Sequence, residues 1–257
     1  MGQVLQQEIF KFRHQQLAWL TPAILVLLMA GLAMTTHGAA TSDQKFYISS
    51  AYGGFQWLTI LIIVIGASCV TMEFEYGTIK QLATQVNHRW TIFVGKYVLV
   101  LGYSVLLHGV AILVTLLLKT SVGRGLHWQY IYLYHQSLLA NLVTNALLDM
   151  YGGVMIIGLV FLLASCSRNS AAAIAIGIGA CFMGEGVSSL LLQSFKPLLP
   201  LMKWNPFNMF FLQEEYANPS YQQNVTHLTI QQLSVGSLVW ALFFVGVGAM
   251  IFSRRRI

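Results

Sequence analysis

Apolar residues in this chain arrive in six long blocks, at about 17–36, 52–72, 95–118, 138–164, 170–193 and 232–252, and the polar residues gather between them. A helix needs roughly 20 apolar residues to cross a hydrocarbon core about 30 Å thick, and each block reaches that length. The fourth and fifth blocks are separated only by Ser165-Cys166-Ser167-Arg168-Asn169, which predicts a tight helical hairpin. Residues 3–16 follow a different pattern. Val4, Leu5, Ile9 and Phe12 recur at helical spacing among Gln3, Gln6, Gln7, Lys11, His14 and Gln15, as in an amphipathic helix lying in the membrane interface. The pattern predicts an all-α polytopic membrane protein: one domain over 1–257, six spans, an N-terminal interfacial helix and no separate soluble domain.

The longest connection, about 194–231, holds Pro197, Pro200, Pro206 and Pro219 and the aromatic residues Phe195, Trp204, Phe207, Phe210, Phe211, Tyr216 and Tyr221. So apolar a loop is expected to fold into short segments on or partly inside the outer leaflet. Irregular backbone at that depth has to be shielded by protein or water. Aromatic rings at headgroup level are ordinary anchors. In the functional alternative, Trp204, Phe207, Phe210 and Phe211 form a cap that closes the outer end of a pathway.

Composition agrees with the pattern. Hydrophobic residues make up 56% of the 257 and charged residues 9%, against about 25% charged in an average soluble domain. The net charge of +6 is no nucleic-acid signature, because the basic residues flank apolar blocks, where they orient the chain. With both termini cytoplasmic, nine cations fall inside (Lys11, Arg13, Lys80, Arg89, Lys96, Arg168 and Arg254–Arg256) and five outside (Lys45, Lys119, Arg124, Lys196 and Lys203). The first block is too long for a signal-peptide core and Glu8 stands where a basic lead belongs, so it is expected to remain as a membrane helix. Cys69, Cys166 and Cys181 have unrelated spacings and read as small buried hydrophobes.

Ionisable residues inside spans are candidates for function, since inserting them costs at least ~2.5–3.5 kcal/mol. His108, Asp149 and Glu185 lie in the third, fourth and fifth blocks. At 1.5 Å per residue each falls roughly 12–16 Å below the outer end of its helix. They form one polar layer that either lines a substrate path or clamps the helices together. Ala171, Ala175 and Gly179, with Gly184 and Gly186 around Glu185, and Gly246 with Gly248, are expected at close helix contacts. Enzymatic motifs are missing. No G-x-x-x-x-G-K-[ST], H-E-x-x-H or metal-spaced Cys/His cluster occurs, and Gly95-Lys96 is followed by Tyr97 without a preceding glycine loop. Glu214-Glu215 lacks the neighbouring Arg and later His motifs of a paired-glutamate intramembrane protease. No metal site is predicted.

One connection is overbuilt for a turn. After the second block the chain reads Glu73-Phe74-Glu75-Tyr76-Gly77-Thr78-Ile79-Lys80-Gln81-Leu82, followed by Arg89 and Gly95-Lys96. With the interfacial helix, the six spans and the Pro-rich loop before the last one, this Glu-x-Glu-x-Gly-Thr-x-x-x-Leu segment resembles the membrane subunit of an ABC exporter of the ABC-2 type. The likeness is strongest to compact permeases of bacteriocin or lantibiotic immunity and peptide-antibiotic resistance. Gly77-Thr78, Leu82, Arg89 and Lys96 match the family pattern, while Gln85-Val86-Asn87-His88 replaces its usual turn.

The resemblance implies that residues 73–90 form a cytoplasmic coupling helix, with Glu73, Glu75, Gly77, Thr78, Lys80 and Arg89 meeting an ATP-binding subunit. Acids in the first turn of such a helix would complement its dipole. Reversing the charge of Glu73 and Glu75 is expected to uncouple transport and leave folding intact. The resemblance further implies two ATP-binding subunits, a second permease subunit (the same or a homologous chain), and ATP with Mg²⁺ in the partner rather than a cofactor here. It implies a bacterial plasma membrane location and ATP-driven export of a hydrophobic or amphipathic substrate such as an antimicrobial peptide, drug or lipid. The alternative is a non-transporting anchor or sensor in an immunity or signalling complex.

Overall fold

The computed structural model describes residues 2–36, 38–79, 88–122, 125–167 and 169–255. Among them every regular element is helical, and the chain makes one isolated bridge between Ile131 and Ser137. The helices are α1 (Gly2–Arg13), α2 (Gln16–Thr35), α3 (Thr41–Ser49), α4 (Gly54–Glu75), α5 (Trp90–Val122), α6 (Leu138–Cys166), α7 (Ser170–Ser194), α8 (Leu199–Met202), α9 (Leu212–Ala217) and α10 (Ile230–Arg254). Six segments are long and apolar enough to cross a membrane: α2, α3 running into α4, α5, α6, α7 and α10.

Local chemistry sets the helix ends. The Ser137 and Asn169 side chains accept from the Ala140 and Ala172 amides at the starts of α6 and α7. Thr229 and Gln232 form a reciprocal capping box at the start of α10, satisfying amides a helix start leaves free. Between α3 and α4 the chain turns through three left-handed residues, Ala51, Tyr52 and Gly53.

α4 is the most enclosed span. It packs against α2, α5, α6 and α7, and the most extensive helix pair is α6 with α10. Leu25, Met29, Leu58, Ile63, Phe93, Leu107 and Phe161 are fully buried between these helices. Pro22 lies inside α2. Having no N–H, it leaves the Ala18 carbonyl without its helical donor. The Tyr103 hydroxyl of α5 donates to that carbonyl at 2.7 Å, so a backbone gap in one span is filled from another.

The small-residue expectation needs two corrections. In α7 the inward stripe is Ala173, Gly177, Cys181, Gly184 and Ser188, and not Ala171, Ala175 and Gly179. Ala171 and Ala175 are exposed and Gly179 has open space where a Cβ would stand. A shift of two residues turns a helix face through about 200°. Gly184 does make a close contact, but against the ring of Phe207 from the long connection rather than another span. Gly248 packs against Phe93 and Leu162, whereas Gly186 and Gly246 meet nothing.

Residues 195–229 fold onto α7 and α10 as short helical pieces. Asn208 is fully buried and donates to the carbonyls of Lys203 (2.7 Å) and Thr226 (2.9 Å). Met209 presses on Gly236, and the Trp240 indole donates to the Trp204 carbonyl at 2.9 Å.

Candidate functional site

Two polar sites stand at opposite ends of the bundle. At the end shared by α1, the close of α4 and the start of α5, four charged side chains interlock. Lys96 Nζ lies 2.6 Å from Glu8 Oε2 and 3.1 Å from Glu73 Oε1. Lys11 Nζ reaches the same Glu73 oxygen at 3.1 Å and Glu8 at 3.4 Å. The Thr78 hydroxyl donates to the other oxygen of Glu73. Lys96, Glu8 and Glu73 are buried at 2%, 3% and 7% exposure, and two acids balance two bases. Gly95 lets α1 come this close, since a Cβ there would stand 3.2 Å from Val4.

This geometry corrects the placement of the acids. Glu73 and Glu75 close the membrane helix α4 instead of opening a short helix after it. Glu75 accepts from the Ser170 amide at 2.6 Å and from the Ser170 hydroxyl at 2.7 Å. A carboxylate at the start of α7 complements that helix's dipole, so the expected electrostatics hold with a different helix. Both acids therefore bond separate elements to one another, so reversing their charge is expected to disturb folding as well as any coupling. Gly77 adopts a left-handed φ of 69°, which favours glycine. Arg89 donates to the Arg255 carbonyl at 3.2 Å. Arg255 sits 3.9 Å over the Phe74 ring and donates to the Ser165 carbonyl, tying α10 to α4 and α6. Lys80 lies outside the described residues. Glu8 and Lys11 were missed as partners. The available signal was the position of Glu8 between Val4 and Phe12, one residue per turn along a single apolar face.

At the other end, His108 and Asp149 are bonded, Nε2 to Oδ2 at 2.9 Å. His108 Nδ1 bonds the Ser104 carbonyl at 2.8 Å and must be its donor. One further proton then sits between Nε2 and Asp149, because a bare ring nitrogen would face a carboxylate. Asp149 and Glu185 line one cavity of about 100 Å³ together with Glu214, Gln213, Gln56 and Thr59. Phe210 also lines it, Phe207 is pressed on Gly184, and Phe211 is buried beside Tyr221. Trp204 is 38% exposed and contributes its carbonyl to Trp240. Sequence reasoning named His108, Asp149 and Glu185 but missed Glu214, whose signal was an acid pair in an otherwise greasy loop. Burial and the nearby Asp149 charge push the Glu214 carboxyl above its ordinary range. Burial raises Glu215 too, partly offset by the Thr226 hydroxyl bonded to it.

The fold and these two sites define a multi-pass helical membrane protein whose polar chemistry sits at its two ends. The sequence profile described as ABC-2 family transporter protein matches residues 4–184, and the chain belongs to that family. A curated relative, the uncharacterized protein YhcI of Bacillus subtilis (strain 168), is 26% identical over 145 residues. The match covers 53% of this chain and 46% of that protein, so it spans about half the relative's length.

Proposed function

We propose that this chain is the permease subunit of an ATP-driven exporter that moves a hydrophobic or amphipathic substrate out of a bacterial cell. Two copies of an ATP-binding subunit, carrying ATP and Mg²⁺, dock on the face that bears both termini, which is cytoplasmic. A second permease subunit, the same or a homologous chain, completes the pathway. The observation that carries the reading is the buried Glu8–Lys11–Glu73–Lys96 set. It joins the interfacial helix and two spans just before Tyr76–Ile79, which follow the end of α4. A push on that segment by the ATPase would pass through Thr78 and Glu73 into α4, α5 and α1 together. His108, Asp149, Glu185 and Glu214 would meet the polar end of an amphipathic substrate under the Phe207–Phe210–Phe211 cap.

The docking residues must be those that project. Tyr76, the residue after the end of α4, is 72% exposed. Purification of the full chain with its native partners is expected to bring down a P-loop ATPase in stoichiometric amount. Tyr76→Glu should lose ATPase stimulation and uptake of substrate by inverted vesicles while melting like the wild type. Recovery of no ATPase, or undiminished transport by Tyr76→Glu, would sink the coupling role. ATPase binding without flux in the wild type would instead favour the anchor or sensor reading.

A further inference from the structure

A groove of about 630 Å³ opens on the outside of the bundle between α1, α2 and α5. That volume falls within the range of pockets that hold small molecules, about 300–1,000 Å³. Its walls are apolar, with Leu5, Phe12, Leu99 and Tyr103 among them, and Arg13 is the one charged residue lining it among the described residues. Arg13 is exposed and forms no ion pair with an acid among the described residues. Lys11, its neighbour on α1, is already held by Glu8 and Glu73. From Val98 to Leu106 the groove follows α5 for about 12 Å, at 1.5 Å per residue.

The order of chemistry along the groove is that of a lipid. Arg13 stands at the end of the interfacial helix, at headgroup level, and the Trp19 indole beside it donates to the Arg13 carbonyl at 2.8 Å. Tryptophan belongs at that level of a membrane, and a free cation there attracts anionic lipid. Beyond them the described lining is apolar, apart from the Tyr103 hydroxyl already taken by the Ala18 carbonyl, and includes Gly102, which is exposed and whose missing side chain leaves open space. We infer that this groove binds one anionic glycerophospholipid of the leaflet on the α1 side, with its phosphate at Arg13 and an acyl chain along Gly102. The site is separate from the acidic cavity and does not depend on the transport reading.

The test uses the full chain reconstituted in phosphatidylcholine vesicles containing phosphatidylglycerol, extracted in mild detergent, delipidated, and examined by native mass spectrometry. Wild type should retain one phosphatidylglycerol per chain in preference to phosphatidylcholine. Gly102→Phe should lose the retained lipid of either kind, since the new ring fills the groove. Gly and Phe differ in the direction that favours a helix, so the variant is expected to fold. Gly109→Phe is the control. It adds the same bulk two turns further along the exposed face of α5, where a Cβ also meets nothing, and should keep the lipid. Arg13→Gln should keep an acyl chain but lower the preference for phosphatidylglycerol about fivefold, the worth of one cation near an anionic surface. Unchanged lipid retention by Gly102→Phe, equal loss in Gly109→Phe, or an unaltered preference in Arg13→Gln would each overturn the inference. So would a drop from dimer to monomer in Gly102→Phe without any wild-type lipid, which would make the groove a seat for a second copy.

Discussion

Replacing Lys96 by methionine should be among the most damaging single changes in this chain. The side chain keeps its length and loses its charge, leaving Glu8 and Glu73 nearly enclosed with Lys11, whose side chain is 40% exposed, as their remaining cation. At an effective dielectric near 20, a unit pair at about 3–4 Å is worth roughly 4–6 kcal/mol. Lys96 makes two such contacts, at 2.6 and 3.1 Å. Withdrawing each ion from water costs several kcal/mol, so the intact set gives little net stability over a well-packed apolar one. Removing one partner is different, because the loss of attraction leaves the desolvation in place; the expected cost is about 3–5 kcal/mol. Adding Glu73→Gln should then recover part of it, since Glu8 and Lys11 remain as a balanced pair. The two substitutions should be non-additive by about 0.5–3 kcal/mol. Unfolding in mixed micelles, followed by circular dichroism against the fraction of denaturing detergent, measures all four corners of this cycle. A loss below about 1 kcal/mol in Lys96→Met, or strict additivity in the double variant, would refute the interlocked set.

Three further outcomes follow from separate observations. Tyr103→Phe strands the Ala18 carbonyl and should cost about 1–3 kcal/mol; in a Pro22→Ala background the restored N–H takes that carbonyl, and the same substitution should then cost clearly less in the same unfolding assay. Glu214 and Glu215 hold their protons more tightly folded than unfolded. Their stabilising contribution is thus full below the ordinary carboxyl value of 4.5 and is lost as pH rises through the raised values; melting temperature should fall with rising pH above that point, less steeply in Glu214→Gln/Glu215→Gln. Gly184→Leu collides with the Phe207 ring whereas Gly186→Leu meets open space, so limited proteolysis within residues 195–229 should quicken in the first variant and stay unchanged in the second.

The element count was legible because each span carries its own length signal, and lipid demands helices there. The faces were harder to read. In water an apolar stripe marks the side that packs, but lipid is as apolar as a helix neighbour, so α7 offers small residues all round. Ala171, Ala175 and Gly179 were as good a sequence stripe as the Ala173–Gly177 face the structure uses. The polar sites divide the same way. His108, Asp149 and Glu185 stand out against apolar surroundings, and their charge alone made them candidates. Their grouping with Glu214 needed the fold of the long connection. Glu8 and Glu73 are separated by 65 positions, and nothing local says that one lysine lies between them.

The two ends share more than a bundle. α4 carries Glu73 at one end and Gln56 and Thr59 at the other; α5 carries Lys96 and His108. Thr59 and Glu73 are 14 residues apart and Lys96 and His108 are 12, or about 21 and 18 Å of continuous helix. A helix transmits a shift of one end to the other only if it moves as a body. The interlocked charges make that the easier motion: separating α4 from α5 at Lys96 exposes an unpaired buried charge, whereas moving them together breaks no contact of the set. On the proposed reading, the charged set is useful because it is costly to open. A modest push at residues 76–79 is then spent on tilting α1, α4 and α5 as one unit, and the cavity walls contributed by Gln56 and Thr59, with Asp149 held by His108, move relative to Glu185 on α7.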